Sequence, residues 1–302
     1  MGASLSGPAR PGPVFTALVT LVAMVAFASN SILCRLALAP GAIDPASFTA
    51  LRLVSGALIL LVIAHATGRG GRRGSGSWLS GALLFVYAIC FSFAYVELTI
   101  ATGALLLFGA VQLTMLAAAI VGGERPQPWQ WLGIAAALCG FVYLVSPGLE
   151  APSPLGSLLM TAAGVAWGFY TLRGRGTGDP IGATTDNFVR SVPLVLLVGG
   201  AAMLLAGARV TARGLILAAI SGAVTSGLGY VIWYVALRGL TATRAAAVQL
   251  TVPVIAAASG VLFMAEAITL RLGIASLAIL GGVGVVLAGR ETRSAPPASR
   301  SG

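Results

Sequence analysis

Few side chains in this sequence could do chemistry, and most of those lie inside long apolar runs. All 18 basic residues are arginine, so the chain has no lysine for a Schiff base or for a phosphate-binding P-loop. His65 is the only histidine, and Cys34, Cys90 and Cys139 are scattered along the chain without a CxxC pair. We therefore expect no metal site, no disulfide framework and no cofactor. No Asp, Glu or His falls in the middle of an apolar run, which argues against an enzyme.

Polar and aromatic residues inside the apolar runs are the candidates for binding a solute. Helical spacing places Trp167, Tyr170 and Thr171 on one face, and Phe27 with Asn30 on another. Aromatic faces suit a planar or cationic solute through stacking and cation–π attraction, and amides suit the polar groups of an amino acid. Ordinary helix packing is the alternative interpretation. The predicted substrate-binding residues are Phe27, Asn30, Phe91, Ser92, Tyr95, Gln112, Trp167, Tyr170, Thr171, Ser226, Tyr230 and Gln249.

Two arginines, Arg52 and Arg190, lie a turn or two inside their apolar runs. Asp186 precedes Arg190 by four residues, a spacing that favours an ion pair on a helix. Arg52 has no acid nearby in the sequence, and Glu97 is its predicted partner. We expect a gating or structural role for these four residues and for Pro253, with substrate binding by the arginines as the alternative.

The elements that must position these residues are membrane-spanning helices. The chain is 58% hydrophobic and only 9% charged, whereas a soluble domain has about 25% charged residues. Its apolar runs have the length that a helix needs to cross the hydrocarbon layer, and a lipid-exposed span must satisfy its own backbone groups. We predict an all-α polytopic membrane protein with ten transmembrane helices. The predicted spans are 14–37, 46–66, 78–98, 102–122, 129–146, 154–172, 182–206, 214–237, 241–264 and 269–288.

The second half of the sequence repeats the first. Tyr95-Val96-Glu97-Leu98 returns as Tyr234-Val235-Ala236-Leu237, and Asp44-Pro45 returns as Asp179-Pro180. Because each copy contains five spans, the second enters the membrane from the opposite side, which gives two inverted-topology repeats. Such repeats place a binding site near the midplane, open alternately to either side. The predicted units are a disordered cytoplasmic N-terminus (1–13), repeats at 14–148 and 152–289, and a disordered cytoplasmic tail (290–302).

Arginine distribution predicts the orientation. With a cytoplasmic N-terminus, the cytoplasmic side carries Arg10, Arg69, Arg72, Arg73, Arg125, Arg173, Arg175, Arg238, Arg244, Arg290, Arg293 and Arg300. The other side carries only Arg35, Arg209, Arg213 and Arg271. The positive-inside rule then places both termini in the cytoplasm. The abundance of arginine, alanine and glycine favours a bacterial inner (cell) membrane. The basic tract at 68–77 is interpreted as a cytoplasmic loop, so no nucleic-acid partner is expected.

The chain resembles the EamA-type branch of the drug/metabolite transporter superfamily. The shared features are the arginine near the start of each half's second helix, Arg52 and Arg190, and the endings Gly122-Gly123-Glu124 and Met264-Ala265-Glu266. Within that branch it looks most similar to the YddG-type exporters of aromatic amino acids. The resemblance implies a cavity lined by spans one, three, four, six, eight and nine. Members of the family often have a proline in both the fourth and the ninth helix. This chain has Pro253 opposite Val111, so a symmetric kink is not expected.

The sequence therefore predicts a secondary transporter that exports small amphiphilic solutes, with aromatic amino acids as the best guess. The alternatives are a channel-like facilitator, an exporter of a different metabolite or a cationic drug, and a membrane enzyme or flippase. The expected partners are the solute and the lipid bilayer. Small residues in spans five and ten, Ala136/Gly140 and Ala278/Gly282, favour packing within one chain over a dimer contact. We expect a monomer or a weak homodimer.

Overall fold

A computed structural model describes residues 12–68, 76–123, 125, 127–148, 150–175, 177–240 and 242–291. Within these residues ten helical spans are long and apolar enough to cross a membrane, which confirms the predicted fold class. Strands are absent from this part of the chain, apart from an isolated bridge between Ile43 and Val210. The helices are α1 (Pro13–Leu38), α2 (Pro45–Ala66), α3 (Trp78–Glu97), α4 (Ile100–Val121), α5 (Pro128–Val145), α6 (Pro154–Gly174), α7 (Pro180–Ala206), α8 (Ala212–Ile220), α9 (Gly229–Leu237), α10 (Ala242–Gln249), α11 (Thr251–Met264) and α12 (Leu270–Glu291).

Two of the spans are not single α-helices. In the eighth, a π-helical segment (Ser221–Leu228) joins α8 to α9. The ninth consists of α10 and α11, which meet at Leu250. Pro253 lies in the first turn of α11 and has no N–H to donate to the Gln249 carbonyl, so the helix breaks there. The corresponding position in α4, Val111, lies in an uninterrupted helix, so the expected asymmetry is present.

Local sequence signals explain where the helices begin. Proline, whose fixed φ suits the first helical turn, opens α1, α2, α5 and α6. Several helices also have an N-cap side chain that accepts a hydrogen bond from a backbone N–H three residues later. These caps are Asp44, Ser77, Thr99, Ser153 and Thr211. Helix starts are therefore encoded by caps and prolines, and the apolar runs supply the length.

The two repeats, α1–α5 and α6–α12, pack mainly against each other rather than within themselves. Helix α3 lies on α6, α1 on the eighth span, α2 on α7, α4 on α11 and α5 on α12. With ten spans, the start of α1 and the end of α12 lie at the same end of the bundle, which we call the terminal end. The opposite end is called the distal end. The interface between the repeats runs through the centre of the molecule.

Helices α5 and α12 pack together outside this centre, as the small residues predict. A methyl group added at Gly140 would lie 2.6 Å from the Cβ of Ala278, and one at Gly133 would lie 2.6 Å from the Gly282 carbonyl oxygen. Only hydrogen fits at such distances, so the two backbones touch. Ala136, predicted for this contact, is exposed instead, because the buried face of α5 runs through Gly133, Ala137 and Gly140.

Some predictions concern residues outside the described part of the chain. Glu124 and residues 1–11 and 292–302 of the predicted disordered termini fall there. A few residues assigned to the predicted termini are helical. Helix α1 begins at Pro13, and α12 continues to Glu291, two residues beyond the predicted second repeat.

Candidate functional site

Five aromatic rings meet where the two repeats face each other. Phe27, Tyr87, Phe91, Trp167 and Tyr230, which we call the aromatic cage, come from α1, α3, α6 and α9. The Trp167 ring centroid lies 4.7 Å from that of Tyr230, 4.9 Å from Tyr87 and 5.9 Å from Phe27. Such tilted and edge-on arrangements are favourable for aromatic pairs. Both repeats therefore contribute rings to one central cluster.

The cage encloses a cavity of only about 10 Å³, which is also lined by Asn30, Leu107 and Phe108. This volume accommodates at most about one water molecule. The rings fill the centre themselves, so a solute would have to displace them, as in a conformational change that separates the repeats.

Asn30 fixes the position of the cage from α1. Its Nδ2 lies 3.3 Å from the Tyr87 hydroxyl, to which it donates, and its Oδ1 accepts from Ser221 and Thr225 at 2.7 and 3.2 Å. Both hydroxyls belong to the π-helical segment. The segment approaches α2 closely at Gly222, where a side chain would collide with the carbonyl of Arg52. The irregular helix thus presents hydroxyl groups to the centre, and π segments often occur at functional sites.

Arg52 lies directly beside the cage and is 1% exposed. Its Nε donates to the Ser226 hydroxyl at 3.0 Å, and its Nη2 donates to the hydroxyls of Tyr87 and Tyr230 at 3.1 and 3.2 Å. The guanidinium carbon also lies 5.0 Å from the ring centroid of Phe91. These contacts include no acidic side chain, which is unusual for an arginine inside a membrane span.

The structure brings together some of the predicted binding residues and separates others. Five of them line the central cavity: Phe27, Asn30, Phe91, Trp167 and Tyr230. Ser226 accepts a hydrogen bond from Arg52, which in turn bonds to Tyr230 of the lining. Tyr170 stacks on Trp167 with ring centroids 5.3 Å apart, and Thr171 is buried next to it. These residues form one continuous site.

The remaining predicted binding residues lie outside this cavity. Ser92 accepts from Thr49 of α2 at 2.8 Å, and Tyr95 packs on Phe91 beneath the α3–α4 turn. Gln112 of the fourth span donates to the backbone carbonyl of Ala246 in the ninth, and Gln249 donates to that of Ala245 in its own span. All four are buried in contacts between helices. Their role in binding stays a prediction.

The charged predictions have different outcomes. The Arg190–Asp186 ion pair is present, with Nη1 3.1 Å from the carboxylate. The pairing of Arg52 with Glu97 is wrong. Glu97 is exposed at the distal end and accepts a hydrogen bond from Ser153, whereas Arg52 turns inward to the hydroxyls of the cage.

A second charged cluster holds the distal end together. Glu266, in the turn between α11 and α12, accepts from the Ile100 N–H at 2.8 and 3.1 Å and lies 3.7 Å from Arg35. Arg35 donates to the last carbonyls of α3, those of Tyr95 and Val96, at 2.9 Å each. Burial raises the pKa of Glu266, although the Ile100 N–H and Arg35 act in the opposite direction. We call Arg35, Glu266 and Ile100 the distal latch.

The terminal half of the molecule contains a larger space. A groove of about 530 Å³ lies between α1 and the ninth span and is mostly apolar. Its lining extends from Pro13 to Met24, three residues before Phe27 of the cage, and shares no residue with the central cavity. The distal end is therefore held by the latch, whereas the terminal half has a groove beside α1.

Sequence reasoning missed several of these residues. Tyr87, Phe91 and Tyr95 follow one another at intervals of four residues, so helical spacing places Tyr87 on the same face as the two predicted residues. Ser221 and Thr225 are also four residues apart, but the π geometry that aims them at Asn30 has no clear sequence signal. In the sequence Glu266 is recognisable only as part of the ending Met264-Ala265-Glu266, because its partner Ile100 lies far away in the chain.

Comparisons with known proteins agree with this architecture. The model of the EamA-like transporter family matches residues 14–146 and 154–288, one match for each repeat. An uncharacterized protein of Pseudomonas aeruginosa is 51% identical over 283 residues, which cover 93% of this chain and 97% of that protein. A solved crystal structure is similar in fold, with a TM-score of 0.64 and 21% identity over 91% of this chain and 98% of that one. This multi-pass membrane protein belongs to the EamA-like transporter family, whose members carry small solutes.

Proposed function

We propose that this protein is a secondary transporter that exports small amphiphilic solutes bearing an aromatic ring, with aromatic amino acids as the leading substrate class. The observation that carries the proposal is the aromatic cage, with five rings from both repeats around one small cavity. A planar ring inserted between them would gain stacking on each side. The resemblance of the sequence to YddG-type exporters of aromatic amino acids supports the same substrate class.

The asymmetry of the two ends supports an alternating-access cycle. The latch holds the distal end together, whereas the terminal half has a groove of about 530 Å³ that ends three residues before Phe27 of the cage. If the terminal end is cytoplasmic, as the arginine distribution predicts, this conformation collects solute from the cytoplasm. Release would require the latch to open and the groove to close.

The alternatives predict different features. A channel-like facilitator needs a continuous polar pore, whereas the centre here is filled by packed rings. A cationic drug would have to bind beside the buried guanidinium of Arg52, which repels it. Both features favour a carrier for neutral, zwitterionic or anionic aromatic solutes.

Counterflow in proteoliposomes tests this function. Vesicles loaded with unlabelled tryptophan should accumulate labelled tryptophan transiently and saturably, and phenylalanine and tyrosine should compete. Leucine, of similar polarity but without a ring, is the matched control and should compete weakly. Linear, non-saturable flux would indicate a channel, and equal competition by leucine would contradict the aromatic substrate class.

We further propose a bacterial inner-membrane location with both termini in the cytoplasm, and a monomer or weak homodimer. The use of the small residues of α5 and α12 within one chain supports the monomer. A reporter active only in the periplasm should be inactive when fused after residue 302 and active in the loop at 147–153. The reverse pattern would contradict the orientation.

A further inference from the structure

Arg52 has one donor group that the protein leaves unused. Its Nε and Nη2 donate to three hydroxyls, but its buried Nη1 has no hydrogen-bond partner among the described residues. A buried guanidinium can donate five hydrogen bonds, and leaving part of it unsatisfied is costly. The partners it does have are neutral, so its positive charge is also uncompensated.

Nearby acids do not supply the missing charge, because each is engaged elsewhere. Glu266 binds Ile100 and Arg35, and Glu97 accepts from Ser153. Asp186 pairs with Arg190 at the terminal end. A charge without a counter-ion in a membrane interior is unfavourable, so this position favours the arrival of an anion from outside the chain.

The unused donor and the aromatic cage share their walls. Tyr87 and Tyr230 both bond to Arg52 and line the central cavity, and the Phe91 ring lies against the guanidinium while it faces the same cavity. The guanidinium therefore lies directly behind the cavity lining, and a solute that displaces the rings would bring its polar end next to Arg52. The two N–H groups of Nη1 can each donate to a carboxylate oxygen, and such charge-assisted bonds are stronger than bonds between neutral groups.

We propose that Arg52 anchors the carboxylate of the transported solute, so that the substrates are aromatic carboxylates and an amino group is dispensable. This inference rests on the proposed function, because it assumes that the ring binds in the cage. The amino group is dispensable because the Oδ1 of Asn30 already accepts from Ser221 and Thr225, and acidic side chains are absent from the described lining. Amino acids then bind through their carboxylate and their ring, and their ammonium group does not contribute to binding.

Binding to the purified full-length protein in detergent tests the proposal with matched ligands. Indole-3-propionate and tryptophan should bind with similar affinity. Indole-3-propionamide, which has the same shape without the charge, and tryptamine, which has only the ammonium, should bind about ten- to hundredfold more weakly, as expected for loss of a charge-assisted bond. Equal binding of the acid and its amide would overturn the proposal.

Arg52→Gln should bind the acid and the amide equally, whereas Arg190→Gln, at the equivalent position of the second repeat, should keep the preference for the acid. Arg52→Lys keeps the charge and should retain part of that preference. If Arg52→Gln does not fold, the ligand comparison on the unmodified protein and on Arg52→Lys still decides. Loss of the preference in Arg190→Gln but not in Arg52→Lys would contradict the assignment.

The same ligands separate this proposal from the proposed function. If indoles bind regardless of their carboxylate, the cage is correct and the Arg52 anchor is wrong. If hexanoate binds as tightly as indole-3-propionate, the anchor is correct and the aromatic substrate class is wrong. If none of the ligands binds at millimolar concentration, both are wrong.

Discussion

Arg52 and Arg190 occupy equivalent positions in the two repeats, yet their surroundings are opposite. Arg52 is 1% exposed and contacts only hydroxyls and rings, whereas the Arg190 side chain is 29% exposed and pairs with Asp186 at 3.1 Å. Duplication gave both halves the same residue, and the sequences around the two arginines then diverged. One half keeps a free charge beside the cage and the other neutralises its charge near the terminal end. Repeat symmetry therefore predicts position but not role.

The two ends of the molecule show a related contrast. At the distal end, Arg35 lies against Glu266 and the end of α3, and its side chain is 18% exposed. Arg175, at the end of the first helix of the second repeat as Arg35 is at the end of α1, is exposed at the terminal end. An inverted repeat that alternates between two states should have one end closed and the other loose at any time, and this arrangement corresponds to distal closure.

Giving Arg52 an acidic partner should make it resemble Arg190 and weaken the binding of aromatic carboxylates. In Ser226→Asp the new carboxylate would lie within reach of Nε, which is 3.0 Å from the present hydroxyl. An internal ion pair would then compete with the solute for the guanidinium. We expect the affinity for aromatic carboxylates to fall about ten- to hundredfold in a binding titration, while the protein remains folded.

Ser226→Asn is the matched control, because asparagine has nearly the same size and shape as aspartate but carries no charge. It should weaken binding no more than about threefold, the effect of one altered neutral hydrogen bond. Equal losses in the two variants would mean that size, not charge, limits binding at this position. The contrast between Arg52 and Arg190 would then have no bearing on binding.

Trp167 tests the aromatic side of the same site. Its ring contacts Tyr87, Tyr230 and Phe27, so Trp167→Ala removes stacking surface from the centre of the cage. A loss of about 1–2 kcal/mol predicts an apparent affinity about five- to thirtyfold weaker in proteoliposome transport. Trp167→Phe should keep most of the affinity, and Trp129→Ala, at an exposed position outside the cage, should leave it unchanged. Normal transport by Trp167→Ala would make the residue a packing element.

The distal latch can be loosened by removing its carboxylate. Glu266→Ala removes both the attraction to Arg35 and the acceptor of the Ile100 N–H. A cysteine introduced as Leu98→Cys, buried in the α3–α4 turn, should then react about three- to tenfold faster with an impermeant maleimide, since about 0.5–1.5 kcal/mol of closure is lost. The native cysteines are first replaced in this background. Glu97→Ala, exposed at the same end, is the control and should change nothing.

The pH dependence of this labelling has a definite sign. Since burial raises the pKa of Glu266, the carboxylate gains its proton in the folded protein above the pH at which an exposed glutamate would. The closed latch therefore binds this proton more tightly than the open one, in which the carboxylate is exposed, so closure is favoured as the pH falls through the raised value. Acidification also slows the maleimide reaction itself by protonating the thiolate, so each rate is divided by that of Glu266→Ala in the same Leu98→Cys background. This ratio should fall with acidification, and a ratio that does not change with pH would assign the effect to another group.

The parts of the fold and of the candidate site that the sequence predicts are those set by local interactions. The ten spans were predictable because hydrocarbon thickness sets their length, and caps such as Asp44 and Ser153 mark helix starts. Ring stripes such as Phe91 with Tyr95 were predictable because helical spacing fixes a face. Which face meets the centre was not predictable, because it depends on how the helices rotate against each other. Gln112 consequently bonds to the ninth span, and Gln249 to its own helix, and neither lines the cavity.

The predicted ion pair between Arg52 and Glu97 is wrong for a different reason. That prediction rests on the assumption that the nearest available acid neutralises a buried charge. In the structure Arg52 instead donates to Tyr87, Tyr230 and Ser226, two of which come from the other repeat, and its Nη1 keeps no partner among the described residues. Contacts between distant parts of a chain have no local signal, and neutral hydroxyls are not conspicuous partners for a charge. Arg35, whose ion-pair partner Glu266 lies in the other repeat, shows the opposite outcome, so the local sequence does not distinguish an arginine with a distant acid from one with none.

Removing the acid from Arg190 is the converse of adding one to Arg52. Asp186→Ala leaves Arg190 unpaired, but both side chains are more than a quarter exposed at the end of the bundle, where water and headgroups can solvate the charge. Exposed helix pairs at this spacing contribute about 0.3–0.5 kcal/mol, so we expect a fall in Tm of only about 1–2 °C in detergent and unchanged affinity for solute. Arg213→Ala, an exposed arginine at the start of α8, should have no measurable effect. If Asp186→Ala instead lost several kcal/mol, or gained a preference for anionic ligands, Arg190 would resemble Arg52 in needing a counter-ion. The difference between the repeats would then depend on this one aspartate rather than on burial.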